Sequence, residues 1–218
     1  MRRVLAREFD LVYLNQLQYL RAHEAAGYQA LAKMCEDGEC TIRAAIIVRA
    51  DSGISGPADL RGRTIAFGDP RAMVSRILAQ TVLHQSGLRP GEYRAIFAKN
   101  PPNALLAMYN GMADAAGISP SVLDHPEITK RADPKSLRVI AESQPIPHLP
   151  IAVRGDLPAA MKQHVLPALT TLAEQPGGGE ALRRLGIDRF APADDAEYQA
   201  MRRLLNGEGG GEGTGKGS

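Results

Sequence analysis

The chain has 218 residues, of which 26 are basic and 24 acidic, so its net charge of +2 predicts no general attraction to nucleic acid or anionic membranes. Trp is absent and aromatic residues make up 5%, which weakens any stacking platform for bases. No apolar run approaches the length of a membrane span, and the basic N-terminus lacks the apolar core of a secretory signal. This length suffices for one or two small domains, each with a hydrophobic core.

The start of the chain alternates between strand and helix patterns. Apolar runs predict strands at residues 9–14, 28–34 and 42–48. Apolar residues at helical spacing predict one helix at residues 17–26. The helix is expected to end at Gly27. Turn-forming residues at 36–38 separate the second and third strands, so the pattern predicts a hairpin-like pair.

Cys35 and Cys40 are the two cysteines of the chain, and a short turn-like segment separates them. They predict either a disulfide across the turn, if the protein is exported, or two reduced thiols. Without further cysteines or clustered histidines, no metal site is predicted. No cofactor is predicted either.

The most informative stretch is residues 49–88, which reads as strand end, turn, short helix, buried strand at 63–67 and helix at 71–86. Asp69 is expected to be the N-cap of that helix and Pro70 its first residue. A strand running into a capped helix puts the helix N-terminus at the carboxyl edge of a parallel sheet, where α/β proteins bind ligands and anions are favoured.

The remainder of the chain continues the alternation and then becomes helical. Strands are predicted at residues 93–98, 113–118, 137–142 and 151–153. Helices are predicted at residues 101–110, 158–173, 180–185 and 196–205, and a further helix start is predicted at Ser119-Pro120. Asp114 is expected to stabilise a turn and strand start. Residues 206–218 are rich in glycine and are predicted to be disordered. The pattern predicts an α/β fold with mostly parallel sheets.

Four segments, in order, carry a resemblance to a known family: FDLVYLNQLQYLRA, IIVRADSGISGPADLRGRTIAFGDP, ALLAMYNGMADAAG and LRVIAESQPIPHLPIAVRGDLP. The chain resembles the phosphonate-binding family of periplasmic solute-binding proteins of ABC transporters, over roughly residues 9–200. The resemblance implies the type II periplasmic-binding fold, with two α/β lobes joined by crossing strands near residues 46–50 and 142–146. Lobe I is expected to comprise residues 1–50 and 142–205, and lobe II residues 51–141.

The family begins with a strand and a helix ahead of the FDLVYL-like strand, whereas here Phe9 lies near the first residue. We expect that the true start lies upstream, together with a signal peptide, because a lobe without a central strand loses much of its burial. The alternative is a shortened relative of the family.

The resemblance also implies an anion site in which the family uses a Ser-Thr-Ser run after Asp-Pro. Here those three hydroxyl positions fall on Ala72, Met73 and Val74, so Ser75, the backbone N–H groups and Arg71 remain as candidate donors. A buried dianion needs several charge-assisted hydrogen bonds. The site is therefore expected to be remodelled and less suited to phosphonate. The alternative for Arg71 is a side chain that points to solvent and does not contact ligand.

Three further positions are expected to contact ligand by the same resemblance. Tyr19 matches a cleft tyrosine of the family, Asn103 stands at the family's aspartate in the helix that begins at Pro101, and His148 stands at a polar ligand contact. The alternative for His148 is an ordinary residue of the crossing loop.

The sequence therefore predicts the solute-binding component of an ABC importer that captures a small anionic or polar ligand between two lobes. Its expected partners are that ligand and a transporter permease, and its expected location is periplasmic or extracytoplasmic. No enzyme is predicted, because GxSxG, P-loop and HExxH motifs are absent. The alternative is a ligand-sensing or interaction domain with the same fold and no transport role.

Overall fold

The computed structural model describes the backbone of residues 1–205, with side chains through residue 203. The predicted disordered tail, residues 206–218, lies outside this range. The chain divides into two compact units: unit 1 contains residues 1–42 and those from Ile146 onward, and unit 2 is the continuous segment 43–145.

The strands of the described residues are β1 (Leu11–Tyr13), β2 (Tyr28–Cys35), β3 (Thr41–Ile42), β4 (Ala45–Arg49), β5 (Thr64–Phe67), β6 (Arg94–Phe97), β7 (Ala115–Ile118), β8 (Leu137–Glu142), β9 (Ile146–Pro147), β10 (Pro150–Arg154) and β11 (Arg189–Pro192). The α-helices are α1 (Arg2–Leu5), α2 (Gln16–Ala26), α3 (Ala79–Gln85), α4 (Pro101–Tyr109), α5 (Pro126–Thr129), α6 (Ala159–Thr170), α7 (Gly178–Arg184) and α8 (Asp195–Leu205). Residues Met73–Leu78 form a π-helical segment. Short 3₁₀ turns lie at Pro57–Leu60, Pro120–Asp124, Pro134–Ser136 and Leu172–Glu174.

Helix α2 follows directly from its sequence. The side chain of Asn15 accepts a hydrogen bond from the Gln18 N–H at 2.8 Å, and the Gln18 side chain accepts one from the Asn15 N–H at 3.2 Å. This capping box satisfies two backbone donors that the first turn leaves free. Gly27 ends the helix at φ 70°, a left-handed conformation that glycine adopts at little cost. The predicted helix and its end are confirmed.

Unit 1 contains a four-stranded sheet in the order β1-β10-β2-β11, in which every neighbouring pair is antiparallel. Strands β1 and β2 run in the same direction, as a strand–helix–strand pattern predicts, but β10 lies between them. Helices α6 and α7 cover the sheet around a core that includes Ala32, Met34, Ile151, Leu182, Ile187 and Phe190.

The hairpin predicted from residues 28–48 is wrong. Strand β2 pairs with β10 and β11, whereas β4 pairs with β7 and β8 in unit 2. The turn itself forms, since Glu36 and Glu39 make a bridge and Cys35 and Cys40 are joined by a disulfide. The chain then leaves unit 1 instead of pairing back on β2, because the continuous apolar side of β4 is buried in the second sheet.

Unit 2 contains a five-stranded sheet in the order β6-β5-β7-β4-β8. Strand β5 is parallel to β6 and β7, whereas β4 is antiparallel to β7 and β8. The α/β class is confirmed, and parallel pairing is concentrated in these three strands. Parallel pairing does not extend across the described sheets. In unit 1, β10 runs antiparallel to its neighbours, and in unit 2, β4 does so. Residues of β4 and β7 are buried on both faces, since α3 and α4 pack against them.

The unit boundaries fall after residue 42 and after residue 145. The second differs from the predicted lobe boundary at residue 141 because β8, a strand of the unit 2 sheet, extends to Glu142. The first differs from the predicted lobe boundary at residue 50 because β4 is an internal strand of the same sheet. Its hydrogen bonds to β7 and β8 assign residues 45–49 to that unit.

Candidate functional site

The candidate site begins at the carboxyl end of β5, where the chain makes a turn before the next helix. Asp69 accepts a hydrogen bond from the Arg71 N–H at 2.7 Å, and the Ala72 N–H donates to the Asp69 carbonyl at 2.9 Å. The predicted helix start is therefore wrong: Asp69 stabilises a turn, and the helical segment begins at Met73. The cause is local, because an aspartate side chain readily bonds the backbone two residues on.

The helical segment starts with a π-helical turn, Met73–Leu78, that continues into α3. Its wide hydrogen-bonding pattern is seen in the bond from the Ile77 N–H to the Ala72 carbonyl, at 3.2 Å. Such turns are rare and often occur at functional sites. Here the turn buries Met73, Ser75 and Leu78.

Ser75 is the distinctive residue of this turn. It is 3% exposed, and its Oγ is buried without a hydrogen-bond partner among the described residues. A Cβ at Gly68 would lie 2.4 Å from this Oγ and 3.4 Å from the Pro101 nitrogen. Glycine at 68 therefore lets the end of β5, the π-helical turn and the start of α4 meet. Burying a hydroxyl without a hydrogen-bond partner lowers the free energy of unfolding, and such groups are uncommon in folded proteins.

The other predicted residues of this turn differ in their surroundings. The Arg71 side chain is 91% exposed, and its Nε lies 3.4 Å from Asp69 Oδ1. The Arg71 N–H and then its side chain lower the pKa of Asp69. Ala72 and Val74 are partly buried, and Met73 is buried. The alternative prediction for Arg71, a side chain that points to solvent, agrees with this exposure.

Asn103 lies in the first turn of α4, and its side chain is exposed. Its N–H donates to the side chain of Asn100 at 2.8 Å, so Asn100 is the N-cap and the prolines at 101 and 102 occupy the first two helical positions. The predicted α4 is confirmed. Its cap went unrecognised in the sequence, although asparagine before two prolines is a recognisable helix start.

Arg76 is a cation near this edge that sequence reasoning missed. Its Nη1 donates to the Pro70 carbonyl at 2.5 Å, and its Cζ lies 5.8 Å from the centroid of the Phe97 ring at the end of β6. Its Nε is buried without a partner among the described residues. The available sequence signal was its position beside Ser75, because a guanidinium next to an expected anion site can donate charge-assisted hydrogen bonds.

Tyr19, in unit 1, is fully buried. Its hydroxyl donates to Asp195 Oδ1 and accepts from the Ala30 N–H at 3.1 Å, and its ring packs edge-on against Tyr198 with centroids 4.7 Å apart. Burial and the Asp195 carboxylate raise the pKa of Tyr19. These contacts join α2, β2 and α8, so Tyr19 has a structural role in unit 1 and its predicted ligand contact stays a prediction.

His148, also in unit 1, is 5% exposed and lies beside the disulfide turn. The Leu149 N–H donates to its Nδ1 at 2.8 Å, which assigns the proton to Nε2. Nε2 lies 3.4 Å from a carboxylate oxygen of Glu36. The His148 carbonyl accepts from the Tyr198 hydroxyl at 2.8 Å, and its N–H donates to the Cys40 carbonyl at 3.2 Å. Its predicted ligand contact likewise stays a prediction.

The structure therefore brings together some, but not all, of the residues predicted to bind ligand. Ser75 and the start of α4 meet at Gly68 in unit 2, whereas Tyr19 and His148 belong to unit 1. Within residues 1–203, no group of three His, Cys, Asp or Glu side chains is placed to hold a metal ion. In the same part of the chain, no helix combines the length and the apolar character that a membrane crossing requires.

Comparison with protein families gives a match over residues 1–198 to the family described as the periplasmic substrate-binding protein of phosphonate ABC transporters. The chain belongs to this family. The resemblance predicted from four segments is thereby confirmed, and with it the solute-binding role that characterises the phosphonate-binding family. Its members are periplasmic, and oxidising compartments of this kind allow disulfides such as Cys35–Cys40 to persist.

Two solved structures show the same fold. The binding protein component of an ABC phosphonate transporter from Pseudomonas aeruginosa has a TM-score of 0.74 and 19% identity, covering 95% of this chain and 71% of its own. A Xanthomonas citri protein bound to ATP has a TM-score of 0.78 and 19% identity, covering 95% and 80%. This chain therefore has the type II periplasmic-binding fold, as predicted.

A curated relative belongs to a different class of protein. The tetrathionate sensor histidine kinase TtrS of Salmonella typhimurium is 30% identical over 120 residues, which is 53% of this chain. The chain spans about a fifth of the length of that relative, because the match covers 20% of it.

Proposed function

We propose that this chain is the solute-binding component of an ABC importer and that its ligand is a small anionic or polar molecule. In this proposal the ligand contacts the carboxyl edge of β5 in unit 2. Its expected partners are the ligand and a transporter permease, and its role is capture without catalysis.

One observation carries the proposal: the Ser75 hydroxyl is buried without a partner at the meeting point of β5, the π-helical turn and α4. Backbone N–H groups at the start of the helical segment lie in the same turn, and a helix N-terminus favours anions. A ligand oxygen that accepts from Ser75 Oγ would repay the cost of burying this hydroxyl.

The same turn supports a remodelled anion site. The three residues before Ser75 are Ala72, Met73 and Val74, which supply no side-chain hydrogen-bond donor. A dianion requires several charge-assisted hydrogen bonds once it is removed from water. We therefore expect a monoanion, or a neutral polar group, to be preferred over a phosphonate dianion.

Calorimetric titration tests this proposal with methylphosphonate, inorganic phosphate, phosphite and acetate as probes. At a pH well above the second ionisation of the phosphorus oxyanions, methylphosphonate, phosphate and phosphite are dianions and acetate is a monoanion. Acetate is then expected to bind more tightly than the other three. Substituting Ser75→Ala is expected to weaken binding by at least about tenfold, because a hydrogen bond to a charged group contributes roughly 1.5–3 kcal/mol.

The matched control is Ser86→Ala, at the other end of the same helical segment, where the hydroxyl donates to the Val82 carbonyl. This variant is expected to bind as the unmodified protein does. Tight binding of methylphosphonate that survives both Ser75→Ala and Arg71→Gln would contradict a remodelled site.

The match to the Salmonella sensor kinase supports a second candidate function, a ligand-sensing or interaction domain without a transport role. Genes for a permease and an ATPase beside this one would favour transport. A neighbouring kinase or regulator gene would favour sensing. Reconstitution with the neighbouring membrane protein would then measure either ligand uptake or kinase activity.

A further inference from the structure

The end of the unit 2 sheet opposite the candidate ligand site carries a row of arginines. Strands β5, β6 and β7 begin at this end, whereas β4 ends and β8 begins there. The arginines stand at or beside the ends of four of these five strands, in the sheet order Arg94, Arg63, Arg49 and Arg138. We call this end the arginine edge.

A cavity of about 150 Å³ lies within the arginine edge, and Arg49 and Arg63 both line it. Ser52, Gly111 and Asp114 also line it. This volume is far more than the roughly 15 Å³ that one water molecule requires, so a tetrahedral or planar oxyanion fits with its remaining hydration.

The protein holds the Arg63 guanidinium in place from one side. Its Nη1 donates to Asp114 Oδ1 at 3.2 Å, while Asp114 Oδ2 accepts from the Thr64 N–H at 2.8 Å. Asp114 thus stabilises the start of β5, whereas the predicted contact with its own turn does not form among the described hydrogen bonds. Both carboxylate oxygens are engaged, and the hydrogen bonds of the described residues use one of the five N–H donors of Arg63.

The Arg49 guanidinium is oriented in a similar way. Its Nε donates at 3.1 Å to Asp51, whose side chain is 81% exposed, so water weakens this ion pair. Gly111 has φ +78°, and a Cβ there would lie 3.5 Å from Arg49 Nη1. This distance places the Arg49 guanidinium beside Gly111, which lines the cavity, and its other donors remain available.

We propose that this cavity is a second binding site that takes a small oxyanion, such as phosphate or a carboxylate, between Arg49 and Arg63. Planar guanidinium groups match the geometry of such oxyanions and bind them through paired charge-assisted hydrogen bonds. The site is separate from the candidate ligand site, which lies at the opposite end of the same strands.

The test is a titration of the ¹⁵N-labelled full chain with inorganic phosphate, followed by amide chemical shifts at constant ionic strength. The amides of Ser52, Gly111 and Asp114 are expected to shift with saturation. Arg49→Gln and Arg63→Gln are each expected to weaken this binding about tenfold, as the loss of a charge-assisted hydrogen bond implies.

The matched control is Arg94→Gln, which removes an arginine from the same edge whose Nε donates to Thr64 Oγ1 and which does not line the cavity. The affinity of this variant for phosphate is expected to stay within about twofold, since Arg94 is exposed and charges in contact with water interact weakly. If Arg63→Gln disturbs the fold, Arg49→Gln, which loses an ion pair only with the exposed Asp51, still tests the site.

Three results would overturn the proposal. One is the absence of phosphate-dependent shifts at Gly111 and Asp114, and another is an equal effect of sodium chloride at matched ionic strength. The third is saturable binding that neither Arg49→Gln nor Arg63→Gln weakens. Shifts at Gly68 and Ser75 report the proposed ligand site instead, so the two proposals fail independently.

Discussion

Asp69 and Ser75 lie in the same turn after β5, and the Asp69 side chain has a hydrogen-bond partner there whereas the Ser75 hydroxyl has none among the described residues. Asp69 has the sequence signature of an N-cap, but its carboxylate bonds the Arg71 N–H and forms a turn before the helical segment. Ser75 was identifiable from its place after the expected hydroxyl run. Its burial without a partner depends on Gly68, a residue seven positions earlier that directly follows β5.

Asp59 offers a pH-dependent prediction at this scale. Its carboxylate accepts from the Ser55 N–H at 2.8 Å and the Gly56 N–H at 3.1 Å, and these bonds lower its pKa below the ordinary value of 3.8. A carboxylate with a lowered folded-state pKa stabilises the protein above its unfolded-state pKa, and this contribution is lost as the pH falls through the folded-state value.

We therefore expect Asp59→Ala to lower the free energy of unfolding at pH 7 and to have little effect once the pH is well below 3.8. Urea denaturation across this range measures the difference. Asp124→Ala is the control, because Asp124 is exposed and forms no hydrogen bond or ion pair among the described side chains. A difference between Asp59→Ala and the unmodified protein that grows on acidification would contradict the assignment.

Individual elements were easier to predict than their partners. The predicted strand at 137–142 and helix at 101–110 agree with β8 and α4 to within one residue. The proposed hairpin failed because β2 and β4 pair in different sheets. Strand β11 was missed, since it is a four-residue edge strand that ends in Pro192 and has little apolar pattern of its own.

Strand β7 provides the prediction at this scale, because it packs too closely for a side chain at Gly117. A Cβ there would lie 2.8 Å from the Phe67 ring and 2.9 Å from the Ala79 Cβ. We expect Gly117→Ala to lower the free energy of unfolding by about 1–3 kcal/mol, the usual cost of overpacking a core. Chemical denaturation measures the loss.

Gly56→Ala is the control for this substitution. Its φ is −159°, and a Cβ at this position meets nothing within 4 Å. It is expected to leave stability unchanged or to raise it slightly, because alanine restricts the unfolded chain. Equal destabilisation by both substitutions would show that crowding against Phe67 and Ala79 is not the cause.

At the scale of the whole molecule, each unit has its own hydrophobic core. The disulfide belongs to unit 1 and closes a loop of a few residues, for which chain entropy implies a stabilisation of about 2 kcal/mol. Gly117 belongs to unit 2. Separate cores predict that damage to one unit opens that unit first.

Hydrogen exchange followed by mass spectrometry tests this independence. The double variant Cys35→Ser and Cys40→Ser is expected to speed exchange in β2 and β11 while leaving β5 and β7 unchanged. Gly117→Ala serves as the reciprocal control and is expected to give the opposite pattern. Equal acceleration in both units by either change would mean that they unfold as one cooperative unit.

The sequence by itself determined the α/β class, most element positions and the family, because these follow from local periodicity, turn residues and ordered motifs. The tertiary structure alone decided which strands pair, where the two units divide and which site residues meet. It placed Gly68 against Ser75, buried Tyr19 against Asp195 and brought Arg49 to the same cavity as Arg63. These contacts depend on how separate parts of the chain pack, whether the residues are far apart in sequence, as Tyr19 and Asp195 are, or only several positions apart, so local propensity does not encode them.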